Sequence, residues 1–213
     1  MSAYHESLWR ALPEGLDPTD LNVRLAFLLE RARALDAPGQ APRRVLDVGC
    51  GEGQFTTGLA RAGFSVVGVD VAEEPLRRGR VHHPELDLRL VPLEGPWPLA
   101  DASFDVVWAG ETIEHVADTA GWLSELRRVL RSGGSLLLST PAHGRLLMLR
   151  LALSDRSFDA HFDPRADHLR FYNPRTLGRL LEDFGFEDID VRGAVGPPGA
   201  RRVLLASARR SRF

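Results

Sequence analysis

"RRVLDVGCGEGQFTTGLARAGFSVVGVD", residues 43–70, decides the fold. A short apolar run, Val45 to Val48, contains one acid, Asp47. Three glycines follow at alternate positions, Gly49, Gly51 and Gly53. A helical pattern then runs from Gln54 to Ala62, where Gly63 stops it. A second apolar run, "FSVVGVD", ends in another acid, Asp70. Strand, bare backbone, helix and strand in that order predict a parallel βαβ unit. Glycines directly after a strand let backbone approach a ligand closely, and the next helix presents unpaired N–H groups to it. An acid ending the second strand can accept hydrogen bonds from both hydroxyls of a ribose. The stretch predicts a site for an adenosine-type nucleotide or nucleoside.

The pattern continues on both sides. Thr19 to Leu35 has apolar residues at helical spacing (Leu21, Leu25, Leu28, Leu29), with Thr19 or Asp20 as N-cap and "DAPGQAP" as the break. After Asp70, "VAEEPLRRGR" starts a helix, Leu86 to Val91 reads as a strand, and "SFDVVWAG" as the next strand. Ala120 to Leu130 is an amphipathic helix, and "SGGSLLLSTP" a turn followed by a fifth strand. Strands that are apolar almost throughout are buried on both faces, which requires a parallel sheet between two helical layers. Pro174 to Phe184 reads as a helix. "FEDIDVRG" and "RRVLLASAR" are two strands joined only by "AVGPPGA", a connection too short for parallel neighbours. The expected architecture is an α/β, Rossmann-like three-layer sandwich. Its seven-stranded sheet is mostly parallel and ends in an antiparallel hairpin. One domain spans the chain: an N-terminal helical segment (1–42), a ligand-binding core (43–140), an insertion (141–173) and the terminal helix and hairpin (174–213).

The glycine spacing narrows the ligand. The dinucleotide fingerprint G-x-G-x-x-G, counted from Gly49, puts its third glycine on Gln54, whereas here it falls on Gly53. A carboxylate at Asp47 repels a pyrophosphate but tolerates a cationic amino group or a sulfonium. Both features favour S-adenosylmethionine over NAD.

Five stretches in order, "VLDVGCGEG", "VVGVD", "PLADASFDVVWAGETIEHV", "ELRRVLRSGGSLLLSTP" and "HLRFYNPRTLGRLLEDFGF", carry a resemblance over about residues 43 to 190. On them the chain resembles the class I S-adenosylmethionine-dependent methyltransferases, within the group similar to the ubiquinone-biosynthesis O-methyltransferases. The resemblance implies that Asp47, Gly49 and Gly51 line the methionine part of the cofactor, with Cys50 and Gly53 in the same loop. It implies Asp70 at the ribose, Val71 beside the adenine, and Ala109, Gly110 and Glu111 near the sulfonium and acceptor. Relatives often carry Gly-Asp-Ala after the third strand. Here "VPLEGPW" leaves Glu94 or backbone at Leu93 for the adenine amino group. In relatives the region after the fifth strand forms part of the substrate site. In this chain that region, His143 to Tyr172, mixes Leu146, Leu147, Met148, Leu149 and Leu151 with "DAHFDPRADHLRFYN".

Transfer from a sulfonium is an in-line displacement, so alignment and desolvation dominate, and a base is needed only if the acceptor holds a proton. Candidates for that base are His115, His143, His161 and His168. Oxygen leads as acceptor atom by resemblance, with nitrogen and carbon open. The rival readings are an NAD-dependent oxidoreductase and a non-catalytic scaffold that binds cofactor.

Other residues read as structural. Cys50 is small packing, Asp105 bonds nearby backbone, and His115 orders the loop after the fourth strand. Glu114–His115 lacks the second histidine of a zinc helix, so no metal site is expected. Trp97, Trp108 and Trp122 read as packing. The pairs Arg77–Arg78, Arg127–Arg128 and Arg201–Arg202 read as solvated faces.

The bulk numbers agree. The chain has 213 residues, enough for one α/β domain with a sizeable core. A net charge of −2 gives no reason to expect nucleic acid as partner, and a small-molecule acceptor is expected instead. Cys50 is the only cysteine, which excludes an intrachain disulfide and fits a reducing cytoplasm. "MSAYHESLWRALPEG" has no basic region before an apolar run, and no apolar stretch reaches the roughly 18 residues of a membrane span.

Overall fold

The computed structural model describes residues 2–34, 43–93 and 95–212. The expected helix break at 36–42 and the candidate Glu94 lie outside the described residues. Seven strands form one sheet in the order β3-β2-β1-β4-β5-β7-β6. They are β1 (Arg44–Val48), β2 (Ser65–Asp70), β3 (Asp87–Leu90), β4 (Phe104–Gly110), β5 (Leu130–Pro141), β6 (Phe186–Ala194) and β7 (Val203–Arg210). β1 to β5 pair in parallel, and β7 lies antiparallel between β5 and β6. This is the mostly parallel sheet with a terminal hairpin that the patterning required.

The helices are α1 (Ser2–Ala11), α2 (Leu21–Arg33), α3 (Gln54–Arg61), α4 (Glu73–His82), α5 (Thr119–Val129), α6 (Arg145–Ala152), α7 (Asp155–His161) and α8 (Pro174–Asp183). Side-chain alternation along the strands serves both helical layers. Val45, Val106, Trp108 and Leu137 pack with Phe27 and Leu28 of α2 and Phe55 and Leu59 of α3. Their neighbours Leu46, Val107, Leu136 and Leu138 pack with Leu123 and Leu126 of α5 and Leu177 and Leu181 of α8. Because both faces of the central strands are covered, most of their positions are apolar, and that produces the continuous runs; the edge strands β3 and β6 carry exposed charged residues.

Local chemistry sets the helix ends. Asn173 accepts from the backbone N–H groups of Arg175 and Thr176, and Pro174 occupies the first helical position of α8. Such a cap contributes about 1 kcal/mol. At α2 the expected side-chain cap is absent. Asp20 sits in the left-handed region at φ 54° and makes no side-chain cap bond; its carbonyl accepts from Val23 and Arg24 instead. Asp105 accepts the Arg44 N–H at 2.9 Å, the structural role expected of it. The solvated-face reading fails at two arginines. Arg78 is buried against Glu52 and Glu74. Arg128 is held by Glu125, Asp101 and the carbonyls of Trp97 and Leu99. Arg78 has enough acceptors around it to lose its water, while Arg128 remains partly exposed.

Strand order reverses between β1 and β4, so the loops after Val48 and Gly110 diverge and leave a crevice at their carboxyl ends. α6 and α7 follow β5 on this side of the chain path and carry exposed Leu146, Leu149 and Phe158, with exposed Leu153 between them.

Candidate active site

The loop after β1 is pinned from below. Gly49 and Cys50 donate their N–H groups to the Val69 carbonyl at 2.8 and 3.0 Å. Gly49, Gly51 and Gly53 have φ of 71°, 56° and 92°, the left-handed region that glycine tolerates best. Crowding adds a second reason. A Cβ on Gly49 would stand 2.6 Å from the Thr112 hydroxyl, and one on Gly51 2.9 Å from the Trp9 ring. Asp70, at the end of β2, braces the loop: its carboxylate accepts from Gly51 N and Ala72 N, each at 3.0 Å. Two acceptor oxygens retain lone pairs beyond these bonds. Asp47 lies under the loop and accepts the Thr56 hydroxyl at 2.6 Å. Burial pushes its carboxyl up to about 7.

Three adjoining cavities occupy the crevice. One of about 80 Å³ is walled by Val48, Asp70, Val71, Leu93, Trp97 and Trp122. It shares Trp97, Trp122 and His115 with a second of about 350 Å³ that reaches Asp118 and Glu125. The third, about 510 Å³, lies on the other side of Gly49, between the glycine loop, Trp9, Arg24 and the loop after β4. Together they reach the size of a site for a nucleoside-sized ligand plus a second small molecule.

The third cavity holds a polar cluster. The Arg24 side chain is buried, donates to Ser139 at 2.9 Å and to the Thr19 carbonyl at 3.0 Å, and lies 4.8 Å over the Phe55 ring. Burial lowers its pKa, opposed first by the charge of Glu111. Glu111 has φ 53°, an unusual conformation for a residue with a side chain, and its Oε1 is buried without a hydrogen bond. Glu114 accepts the Thr140 hydroxyl at 2.9 Å, while its Oε1 likewise has no hydrogen bond and lies 3.9 Å from His115 Nε2. Burial, then the neighbouring Glu111 charge, pushes Glu114 up to about 8. His115 Nδ1 meets the Asp167 carbonyl at 3.1 Å, and burial depresses its pKa. Ligand atoms of Glu114, His115 and His168 all lie within 4.8 Å of one another, a set that could hold a metal ion. The second histidine that the Glu114–His115 pair lacks locally comes from the insertion.

The sequence candidates divide by position. Gly49, Cys50, Gly51, Gly110, Glu111, His115 and His168 line the third cavity. Asp70, Val71 and Leu93 line the first. Asp47 and Ala109 are buried in β1 and β4, and Gly53 caps α3; none of the three lines these three cavities. His143 and His161 pair with each other, ring centroids 5.3 Å apart, pack on Phe171 and line none of these three cavities. Trp97 and Trp122 are buried packing and wall the first cavity at once. Arg24, which lines the third cavity, was not among the sequence candidates. Arg24 had a signal: it stands three residues after Leu21 and four before Leu28, so a charge interrupts the apolar stripe of α2.

Fold and crevice together define a Rossmann-like protein with a site for an adenosine-type ligand at its switch point. A family model described as a methyltransferase domain matches residues 20–191. The ubiquinone biosynthesis O-methyltransferase of Pseudomonas paraeruginosa is 33% identical over 195 residues, covering 88% of this chain and 81% of that one. That of Hahella chejuensis is 34% identical over 204 residues, covering 92% and 83%. A solved S-adenosylmethionine-dependent methyltransferase from Methanosarcina mazei superposes with TM-score 0.62 at 21% identity, covering 81% of this chain and 94% of that one. A Haemonchus contortus phosphoethanolamine N-methyltransferase reaches 0.70 at 20%, covering 97% and 57%. The chain belongs to the methyltransferase-domain family and is a class I S-adenosylmethionine-dependent methyltransferase, with S-adenosylmethionine as its cofactor. Among the described residues no helix is long and apolar enough to cross a membrane.

Proposed function

We propose that the enzyme methylates a small-molecule acceptor at oxygen, with the acceptor seated in the third cavity beneath the insertion 141–173. The cofactor-binding roles fall to Asp70 at the ribose, to Val71 and Leu93 beside the adenine, and to Gly49 and Gly51 along the methionine chain. Arg24 is a buried cation lining that cavity together with the glycine loop, and it suits the cofactor's carboxylate. The observation that carries the acceptor site is the meeting of the glycine loop with Glu111, Glu114, His115 and His168 around one cavity. The relatives named O-methyltransferases support oxygen as the atom methylated.

Bound there, the sulfonium supplies a methyl group with an activated leaving group, so no residue need activate the donor. A hydroxyl acceptor must lose its proton as its oxygen bonds to carbon. His115 and His168 are the candidate bases on the cavity wall, and the depressed pKa of His115 keeps it neutral and able to accept. Glu114, pushed up to about 8, holds its own proton near neutrality and is better placed to donate a hydrogen bond. His143 and His161 brace the insertion.

The test is a panel of phenols, alcohols, amines and carboxylates, scored by S-adenosylhomocysteine release and by mass of the product. Methylated phenols or alcohols are expected, with His115→Ala and His168→Ala lowering turnover more than cofactor affinity. Methylation at nitrogen or carbon only would overturn the oxygen assignment, and no turnover with tight cofactor binding would favour a scaffold. Repeating the panel with a chelator reads whether Glu114, His115 and His168 work around a divalent cation.

A further inference from the structure

The N-terminal strap, residues 4–20, covers the ligand crevice yet adds nothing to the core. None of its side chains is buried, and none belongs to a core cluster. His5 walls the two cavities around Trp97, and Trp9, Leu12 and Leu16 wall the third. Polar ties hold it. The Glu6 carboxylate accepts the Glu73 and Glu74 N–H groups at 3.0 and 3.1 Å, capping α4. Glu52 accepts Gly15 N at 2.7 Å, Gln54 donates to the Leu16 carbonyl at 3.1 Å, and Arg78 donates to the Leu12 carbonyl at 3.0 Å.

Glu52 stands out among these. It lies between Gly51 and Gly53, inside the loop assigned to the cofactor, but its side chain turns away from the cavities. It is 5% exposed and pairs with Arg78, equally buried, at 3.2 Å. Arg78 is held in turn by Glu74 at 2.8 Å. One buried ion pair thus connects the cofactor loop, α4 and the strap. Segments with few buried apolar contacts open at low cost, so these ties set the cost here.

We propose that Glu52 and Arg78 are positioning residues that latch the strap over the bound cofactor and govern how fast cofactor and product leave. This rests on the placement of the cofactor in the crevice given above. Neither residue touches the ligand; they act through Leu12, Gly15 and, by way of α1, Trp9. Opening the latch releases the strap while the sheet, the glycine loop and the polar cluster stay in place.

The experiment measures S-adenosylhomocysteine dissociation by stopped flow, with hydrogen exchange at the Leu12–Leu16 amides, for wild type, Glu52→Ala and Glu52→Gln. The alanine variant is expected to release ligand roughly tenfold faster, as loss of a charge-assisted bond to a gating segment would. The association rate should change far less, and exchange at Leu12–Leu16 should rise. Glu52→Gln keeps an acceptor for Gly15 N and should recover part of the retention. KM for S-adenosylmethionine should rise while kcat is kept, or increases if product release is limiting. Should Glu52→Ala fail to fold, Glu6→Ala, which removes the strap's bonds to the first turn of α4 and lines none of the three cavities, must show the same faster release. Unchanged dissociation with raised strap exchange would overturn the latch, as would loss of kcat with unchanged dissociation. Failure of the wild type to bind S-adenosylhomocysteine would instead refute the cofactor placement.

Discussion

Replacing Asp70 should damage the loop and the ligand site separately, and the two losses can be measured apart. Its carboxylate accepts Gly51 N and Ala72 N at 3.0 Å each. Alanine removes both acceptors and leaves two N–H groups facing a void. Hydrogen bonds to a charged group contribute about 1.5–3 kcal/mol each. Against that stands the relief of a buried carboxylate, whose pKa burial has raised. A net loss of about 2–3 kcal/mol lowers Tm by roughly 4–12 °C in a chain of this size. Asparagine is no rescue: its amide has one acceptor oxygen, so its NH2 must face one of the two N–H donors. Asp70→Asn should therefore lose at least half of the stability that Asp70→Ala loses. Ligand affinity falls further, because the same oxygens are assigned to the ribose: about 10–100-fold for S-adenosylhomocysteine beyond any loss of fold. Scanning calorimetry without ligand reads the first loss, and titration calorimetry well below Tm reads the second. An Asp70→Asn enzyme that melts and binds like wild type would refute the reasoning. One that melts lower but binds normally would remove Asp70 from the ribose and leave it as a loop brace.

Two further outcomes follow from buried charge. Burial raises Asp47 from 3.8 to about 7, so between those values the folded chain keeps a proton the unfolded chain has released. Its contribution to ligand-free stability is complete below the lower value and is lost as pH rises through the upper one. Asp47→Asn should flatten that decline in denaturant titrations across about pH 4–7; an identical slope would show that Asp47 titrates elsewhere. Arg24→Met keeps most of the side-chain volume but removes the cation. It should weaken S-adenosylhomocysteine about tenfold or more while sparing adenosine, which has no carboxylate. Equal weakening of both in calorimetry would mean that Arg24 supports the fold of the cavity and not the amino-acid end of the ligand.

The sequence by itself determined whatever is written within a few residues. The apolar runs, the glycines at 49, 51 and 53 and the short 194–203 connection dictate strands, turns and a final hairpin through local periodicity and backbone conformation. The placement of Asp70 beside the glycine loop was legible for the same reason, since the end of a strand next to such a loop is a position defined by the local unit. The site beyond the loop was not. His115 and His168 are separated by 53 positions and meet only because the insertion folds back to place Asp167 on His115. His143 and His161 look equivalent to them in sequence, yet they face Phe171 and brace that fold. Arg24 and Arg78 sit on helices where arginine is ordinarily solvated. Which arginine is buried depends on which acids and carbonyls arrive from elsewhere: Ser139 across the sheet for one, Glu52 and Leu12 for the other. Helix and strand propensities act over a turn or a strand length. Desolvation and charge pairing act on whatever the tertiary fold brings within a few ångströms, and those contacts only the three-dimensional structure decides.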